Sequence, residues 1–279
     1  MFAAAVLRGD ERTQRLAIRL AEEAAAFERV APQVLGVETL EQRAQKRPRR
    51  FWLRFGQSAR RPPEPVWQER RLVSEYALTR IDGSLHELRQ VTAVDGRAVT
   101  RQGPDALARV ILARDEGRKR ELLRQFEDYG LLGGVTDFGP VLLLFTPSAI
   151  GRYEFSYLRQ GVIDNTPALV FSYKQLDGRG ALTLFEGSGM KALALAGEVW
   201  VRADYLPLRV TVDVESAGLR QQAVVDYSLS RFGALLPVGI QHRETRAGKL
   251  TAEHHFSYTD FKRFGASADI VFEPEDAGK

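Results

Sequence analysis

Between residues 208 and 215 the chain alternates without a break: Leu208, Val210, Val212 and Val214 are apolar, and Arg209, Thr211, Asp213 and Glu215 are polar or charged. A period of two describes a strand with one dry face and one wet face. Residues 153–158, 168–175, 181–186, 198–203, 222–229, 236–246 and 250–261 also read as strands. The links between them are too short to hold crossover helices, so the strands meander antiparallel. Upstream, 67–81 and 85–94 form two more strands joined at Asp82-Gly83, a hairpin turn.

Two helices accompany the strands. From Glu11 to about Val30, Leu16, Leu20, Ala24 and Phe27 form a narrow apolar stripe, with Asp10 placed to cap the first turn and Pro32 to end the helix. A second helix is expected over about 104–129, opened by Pro104 and interrupted near Gly117. Val141 to Phe145 is an apolar run of five between glycine-rich segments, fitting a buried strand or a piece of helix. The architecture these elements predict is α+β: a large curved antiparallel sheet, a half-open barrel, with two helices packed on its concave face. We read 1–279 as one domain, with an N-terminal helix within 1–32, a basic mobile loop 43–71, the main sheet 72–264 and a tail 265–279.

The chain has 279 residues and no cysteine, which excludes disulfides, thiolate metal sites and a cysteine nucleophile. Its net charge of +4 hides a local excess. Residues 43–71 hold ten basic and two acidic side chains, so the remainder is mildly acidic. Within that segment Lys46, Arg47, Arg49, Arg50 and Arg54 interleave with Phe51, Trp52 and Phe55. This composition suits an anionic membrane surface, and with less support a single-stranded nucleic acid; it also suits a solvated connection between strands.

Motifs for phosphate, dinucleotide or zincin chemistry and the nucleophile elbow are absent, and no cofactor is implied. His242 and His254 carry the one metal reading. Leu236, Val238, Ile240 and His242 share one strand face, Leu250, Ala252, His254, Phe256 and Tyr258 share another, and a tight turn at Ala247-Gly248-Lys249 sets the two histidines opposite each other. They form either half of a metal site or a cross-strand stack, the metal reading lacking a third ligand. On the expected concave face, Phe171, Tyr173, Phe185, Trp200, Val210, Val212, Tyr227, Phe256 and Tyr258 either line a cavity or fill a core.

Several stretches together carry a resemblance: Arg71-Leu-Val-Ser-Glu-Tyr-Ala-Leu, Val94-Asp-Gly-Arg-Ala-Val, Tyr153-Glu-Phe-Ser-Tyr, Pro167-Ala-Leu-Val-Phe-Ser-Tyr, Gly197-Glu-Val-Trp-Val-Arg-Ala-Asp-Tyr-Leu-Pro-Leu-Arg-Val and Phe256-Ser-Tyr-Thr-Asp-Phe-Lys-Arg-Phe. The chain resembles a group of bacterial exported proteins similar to the lipoprotein carriers of the LolA/LolB-like fold. The resemblance implies a half-open barrel whose interior accepts acyl chains or the apolar face of a lipidated protein, in the periplasm or cell envelope. The basic insertion and the missing signal peptide depart from that pattern, and a chain that truly started at residue 1 would be cytoplasmic. A carboxylate- or metal-dependent hydrolase using the same cavity, and a scaffold docking through the basic loop, are the alternatives.

Overall fold

A computed structural model describes residues 10–46, 65–81, 84–99, 103, 105–131, 137–176, 182–186, 189–193, 195–216 and 218–264. Helix α1 spans Glu11–Val30. The Asp10 side chain caps it by accepting the Thr13 N–H, and Leu16, Leu20, Ala24 and Phe27 are buried as their spacing predicts. The strands are β1 (Val34–Gln45), β2 (Trp67–Ile81), β3 (Ser84–Val94), β4 (Arg97–Ala98), β5 (Tyr153–Ile163), β6 (Thr166–Gln175), β7 (Leu182–Glu186), β8 (Gly189–Leu193), β9 (Ala196–Val201), β10 (Pro207–Ser216), β11 (Leu219–Leu229), β12 (Leu235–Arg246) and β13 (Lys249–Arg263).

Eleven strands form one open antiparallel sheet in the order β4-β3-β2-β1-β13-β12-β11-β10-β9-β6-β5. Strands β7 and β8 pair separately, so the strand expected at 181–186 stands outside the main sheet. Pairing of β1 with β13 joins the first strand to the last. The apolar side chains of α1 share one core with Leu40, Leu72, Tyr76, Val199, Val210, Val212, Val225, Ile240 and Phe256, which defines the concave face.

The second predicted helix is two. Helix α2 (Ala106–Leu112) and helix α3 (Glu116–Tyr129) are separated where Arg114 takes a positive φ of 53° and Asp115 caps the new helix. Helix α1 packs on the concave face as expected, and the second helical region covers both faces. Leu107, Ala108 and Leu122 pack with Leu35, Ala77 and Leu88, whose side chains alternate with those of Tyr76 and Arg89 and so belong to the reverse face. Strand β2 is buried on both sides from Tyr76 to Thr79, and a strand with two dry faces needs cover on each. Phe126 of α3 still reaches the concave core.

The expected loop 43–71 begins and ends as strand, since β1 runs to Gln45 and β2 starts at Trp67. Three of its cations belong to the sheet's own ion pairs. Arg43 lies 3.9 Å from Glu69 and 4.0 Å from Glu253, Arg70 lies 3.9 Å from Asp95, and Arg71 lies 3.8 Å from Glu41. Lys46 is exposed, and its backbone N–H extends the β1–β2 ladder to the Val66 carbonyl at 2.7 Å. Arg47, Arg49, Arg50 and Arg54 lie outside the described residues.

Candidate ligand-binding site: a plugged concave face

The apolar run expected as a strand or helix piece is a 3₁₀ helix, Gly139–Phe145, laid against the concave face beside α1. A 3₁₀ helix has poor internal hydrogen bonding and rarely exceeds a few residues, so this one depends on what it touches. Phe145 packs edge-on against Tyr173 with ring centres 5.1 Å apart, and also meets Tyr153 at 5.3 Å and Phe155 at 5.7 Å. Val141, Leu142 and Phe138 are buried with it. We refer to Gly139–Phe145 as the plug.

Of the residues expected to line a cavity, Phe171, Tyr173, Val210, Val212, Tyr227, Phe256 and Tyr258 are buried in this single core, with α1 and the plug filling the space in front of them. Trp200 is a correction. Val199 and Val201 take the core positions of β9, so strand alternation turns Trp200 to the other face, where its ring centre lies 5.2 Å from the Arg159 guanidinium and 5.9 Å from that of Arg209 and its indole N–H donates to Glu198 at 2.9 Å. Phe185 lies on β7, and its side chain is outside the described residues.

Two polar latches hold the plug. The first is the Tyr227 hydroxyl, which accepts the Leu142 N–H at 3.2 Å and donates to the Gly139 carbonyl at 2.9 Å. Tyr227 shares the strand parity of Ala223 and Val225 and so faces the same core, while the bulge opposite it places the extra residue, Val238, on β12. The second latch is Glu87, whose Oε1 accepts the Gly139 N–H at 3.1 Å and the Tyr76 hydroxyl at 2.8 Å. A Cβ at position 139 would stand 2.1 Å from that Glu87 oxygen and 2.8 Å from the Tyr76 hydroxyl, so only glycine allows the plug so close.

Glu87 belongs to a buried ionic cluster. Arg89 donates through Nη2 to Glu87 at 2.8 Å and through Nε to both oxygens of Glu38 at 2.7 and 2.9 Å. Its guanidinium also lies 4.6 Å from the ring centre of Phe126 and 3.7 Å from Asp137, which in turn is 3.3 Å from the His86 ring. Burial raises the Glu87 carboxyl to about 7 against the pull of Arg89, helped by the nearby charges of Asp137 and Glu38. Burial likewise pushes the Tyr76 and Tyr227 phenols well above their ordinary range, so both stay neutral donors.

The histidines pair as the sequence predicts, His242 opposite His254. The route differs from the expected three-residue loop: a two-residue turn at Ala247-Gly248, both with positive φ, is followed by a bulge at Glu244/Thr245 that restores the even-to-even register. Their rings stack with centres 5.4 Å apart and 16° between planes, and Phe138 covers His242 at 4.8 Å. Neither ring nitrogen of His242 has a hydrogen-bond partner among the described residues. Burial depresses its pKa to about 3, with His254 adding to the effect. Among the described residues no group of three His, Asp or Glu side chains is placed to hold a metal ion.

The plug and its latches connect residues that no sequence motif links. Leu85, Glu87, Arg89 and Val91 share a parity on β3, which signals charged groups turned toward an apolar face; their partner Glu38 comes from β1 and the plug from about 50 residues downstream.

No protein-family model matches the chain, and no curated protein matches it in sequence. Solved structures with a similar fold include a domain assigned as an outer membrane lipoprotein-sorting protein from Vibrio parahaemolyticus, 12% identical over 89% of this chain and 93% of that one, with a TM-score of 0.39. A DUF1329 family protein from Desulfovibrio piger is 9% identical over 94% and 97% of the two chains, with a TM-score of 0.41. A LolA superfamily protein from Nitrosomonas europaea is 13% identical over 89% and 94%, with a TM-score of 0.36.

Proposed function

We propose that this chain is a non-enzymatic binding protein for an apolar ligand, an acyl chain or the acylated end of a partner protein, which it takes onto the concave face in place of the plug. The observation that carries the reading is how that face is covered. A packed core normally closes with continuous helix or sheet, whereas here five apolar side chains in a row, Val141 to Phe145, ride on a short 3₁₀ helix anchored to the sheet at two polar points. When the plug withdraws, Tyr153, Phe155, Tyr173 and Tyr227 lose their cover together, leaving an apolar trough with a few polar groups, the form of a lipid-binding site.

The resemblance of the sequence to exported lipoprotein carriers supports the same class of ligand and a place in the cell envelope. No helix of the described residues is long and apolar enough to cross a membrane. The cations at 46–54 would add attraction to an anionic bilayer, at about 1 kcal/mol each near the surface. Native mass spectrometry of the purified full chain tests the proposal. Bound lipid, or a thermal midpoint that rises with added fatty acid or phospholipid, supports it. A ligand-free protein whose midpoint ignores both lipid classes overturns it.

A further inference from the structure

Glu87 sits where a carboxylate is hard to keep charged. Three acids, Glu38, Glu87 and Asp137, surround the single guanidinium of Arg89, so the cluster holds more negative than positive charge when all are ionised. Glu38 and Glu87 have side chains fully shielded from solvent. The groups facing Glu87 come from every element around it: Glu38 on β1, Tyr76 on β2, Arg89 on β3, Tyr227 on β11, Tyr258 on β13, and Asp137, itself 3.3 Å from the His86 ring, with the Gly139 N–H at the plug. Of these only Arg89 is a permanent cation. The plug completes the burial, since Gly139 stands directly on Glu87 Oε1. Withdrawing it would let water reach that carboxyl and would also remove the Gly139 N–H it accepts. Burial is the largest influence on Glu87, so the gain in solvation sets the sign and ionisation becomes easier in the open form.

We propose that plug closure is proton-linked: Glu87 takes up a proton as Gly139–Phe145 seats and releases it to water as the plug leaves, so that rising pH opens the concave face. This rests on the reading of Gly139–Phe145 as a displaceable plug, and adds a regulatory input to that site. The sign follows from linkage. A carboxyl held near 7 in the closed form, against an ordinary 4.5, binds more protons closed than open between those limits. Closure is therefore favoured below that window and weakened through it, by at most about 300-fold if the open carboxyl recovers its ordinary value.

The test needs no ligand. Amide hydrogen exchange of the peptide spanning 138–146 in the full chain, divided by the intrinsic chemical rate, gives the opening constant from pH 4.5 to 8.5, with β10 and β11 amides reporting global unfolding. The expected result is a rise of up to tenfold per pH unit that levels off above pH 7 in the plug alone. In Glu87→Gln the plug should stay as protected at pH 8 as the wild type is at pH 5. Asp137→Asn, at a partly exposed position, should shift the midpoint of the rise to lower pH. A flat wild-type profile, an unchanged rise in Glu87→Gln, or an unmoved midpoint in Asp137→Asn overturns the proton link. Lipid binding with a pH-flat plug defeats the link and leaves the binding function standing; a pH-dependent plug in a chain that takes no lipid does the reverse.

Discussion

Replacing Tyr227 by phenylalanine isolates one latch, because the ring stays and only the hydroxyl goes. That hydroxyl serves two backbone groups of the plug, the Leu142 N–H at 3.2 Å and the Gly139 carbonyl at 2.9 Å, at a site that is 4% exposed. A buried amide left without a partner costs about 1–3 kcal/mol, and the stranded carbonyl adds to it, so the closed state should lose roughly 2–4 kcal/mol. At about 1.4 kcal/mol per factor of ten, plug opening should increase roughly 30- to 1,000-fold. If ligand binds only where the plug has left, its apparent affinity rises by the same factor until the open form dominates, because the population cost of opening is removed. Displacement of a fluorescent fatty acid and urea unfolding, run on the same preparations, read both quantities. A destabilised protein that binds the probe more tightly is the expected pairing. Equal loss of stability with unchanged or weaker binding would make Tyr227 an ordinary core residue and not a latch.

Three further outcomes follow from the same geometry. Gly139→Ala drives a methyl group into the Glu87 carboxylate and the Tyr76 hydroxyl; overpacking of this kind costs about 1–3 kcal/mol and should lower the urea midpoint while raising exchange at the plug. His242 stays neutral in the folded chain down to about pH 3 while an unfolded imidazole takes a proton near 6.5, so its contribution, up to roughly 5 kcal/mol, is present at neutral pH and is lost as pH falls through that interval. His242→Phe should therefore flatten the acid limb of the stability profile measured by denaturant titration between pH 3 and 7. Trp200→Ala removes a ring that meets two guanidinium groups on the outer face; it should cost about 1–2 kcal/mol of stability and leave fatty-acid affinity unchanged, whereas a loss of affinity would return Trp200 to the site.

The sheet can be read from the chain because strand alternation is local. Leu208 to Glu215 declares its two faces with no help from neighbours, and the even parity of His242 and His254 predicts their pairing even though the turn that delivers it is a residue shorter and the bulge repairs the difference. Where both faces are dry the signal fails. Tyr76 to Thr79 shows no alternation, and so nothing in the sequence announces the burial of its reverse side beneath α2 and α3. The size of Trp200 suggests the concave face, although Val199 and Val201 fix the parity of β9 the other way. The site itself is half legible. Most of its apolar walls follow from strand parity, but the plug is only an apolar run of undecided conformation, and the Glu87–Arg89–Glu38 cluster joins residues 51 positions apart by burial alone. Single charged residues on mostly apolar strands carry no partner information until the strands are paired.

The basic segment changes in meaning as well. Three of its ten cations, Arg43, Arg70 and Arg71, sit on strands beside carboxylates, which leaves seven for the attraction to an anionic surface proposed above.

An apolar ligand and the plug are proposed to compete for one face, and hydrogen exchange of the full chain, with and without saturating long-chain fatty acid or phospholipid, distinguishes competition from binding elsewhere. Ligand should raise exchange across residues 139–145 while the amides of β6 and β10 remain protected. Saturable binding that leaves 139–145 as protected as in the free chain rules the competition out.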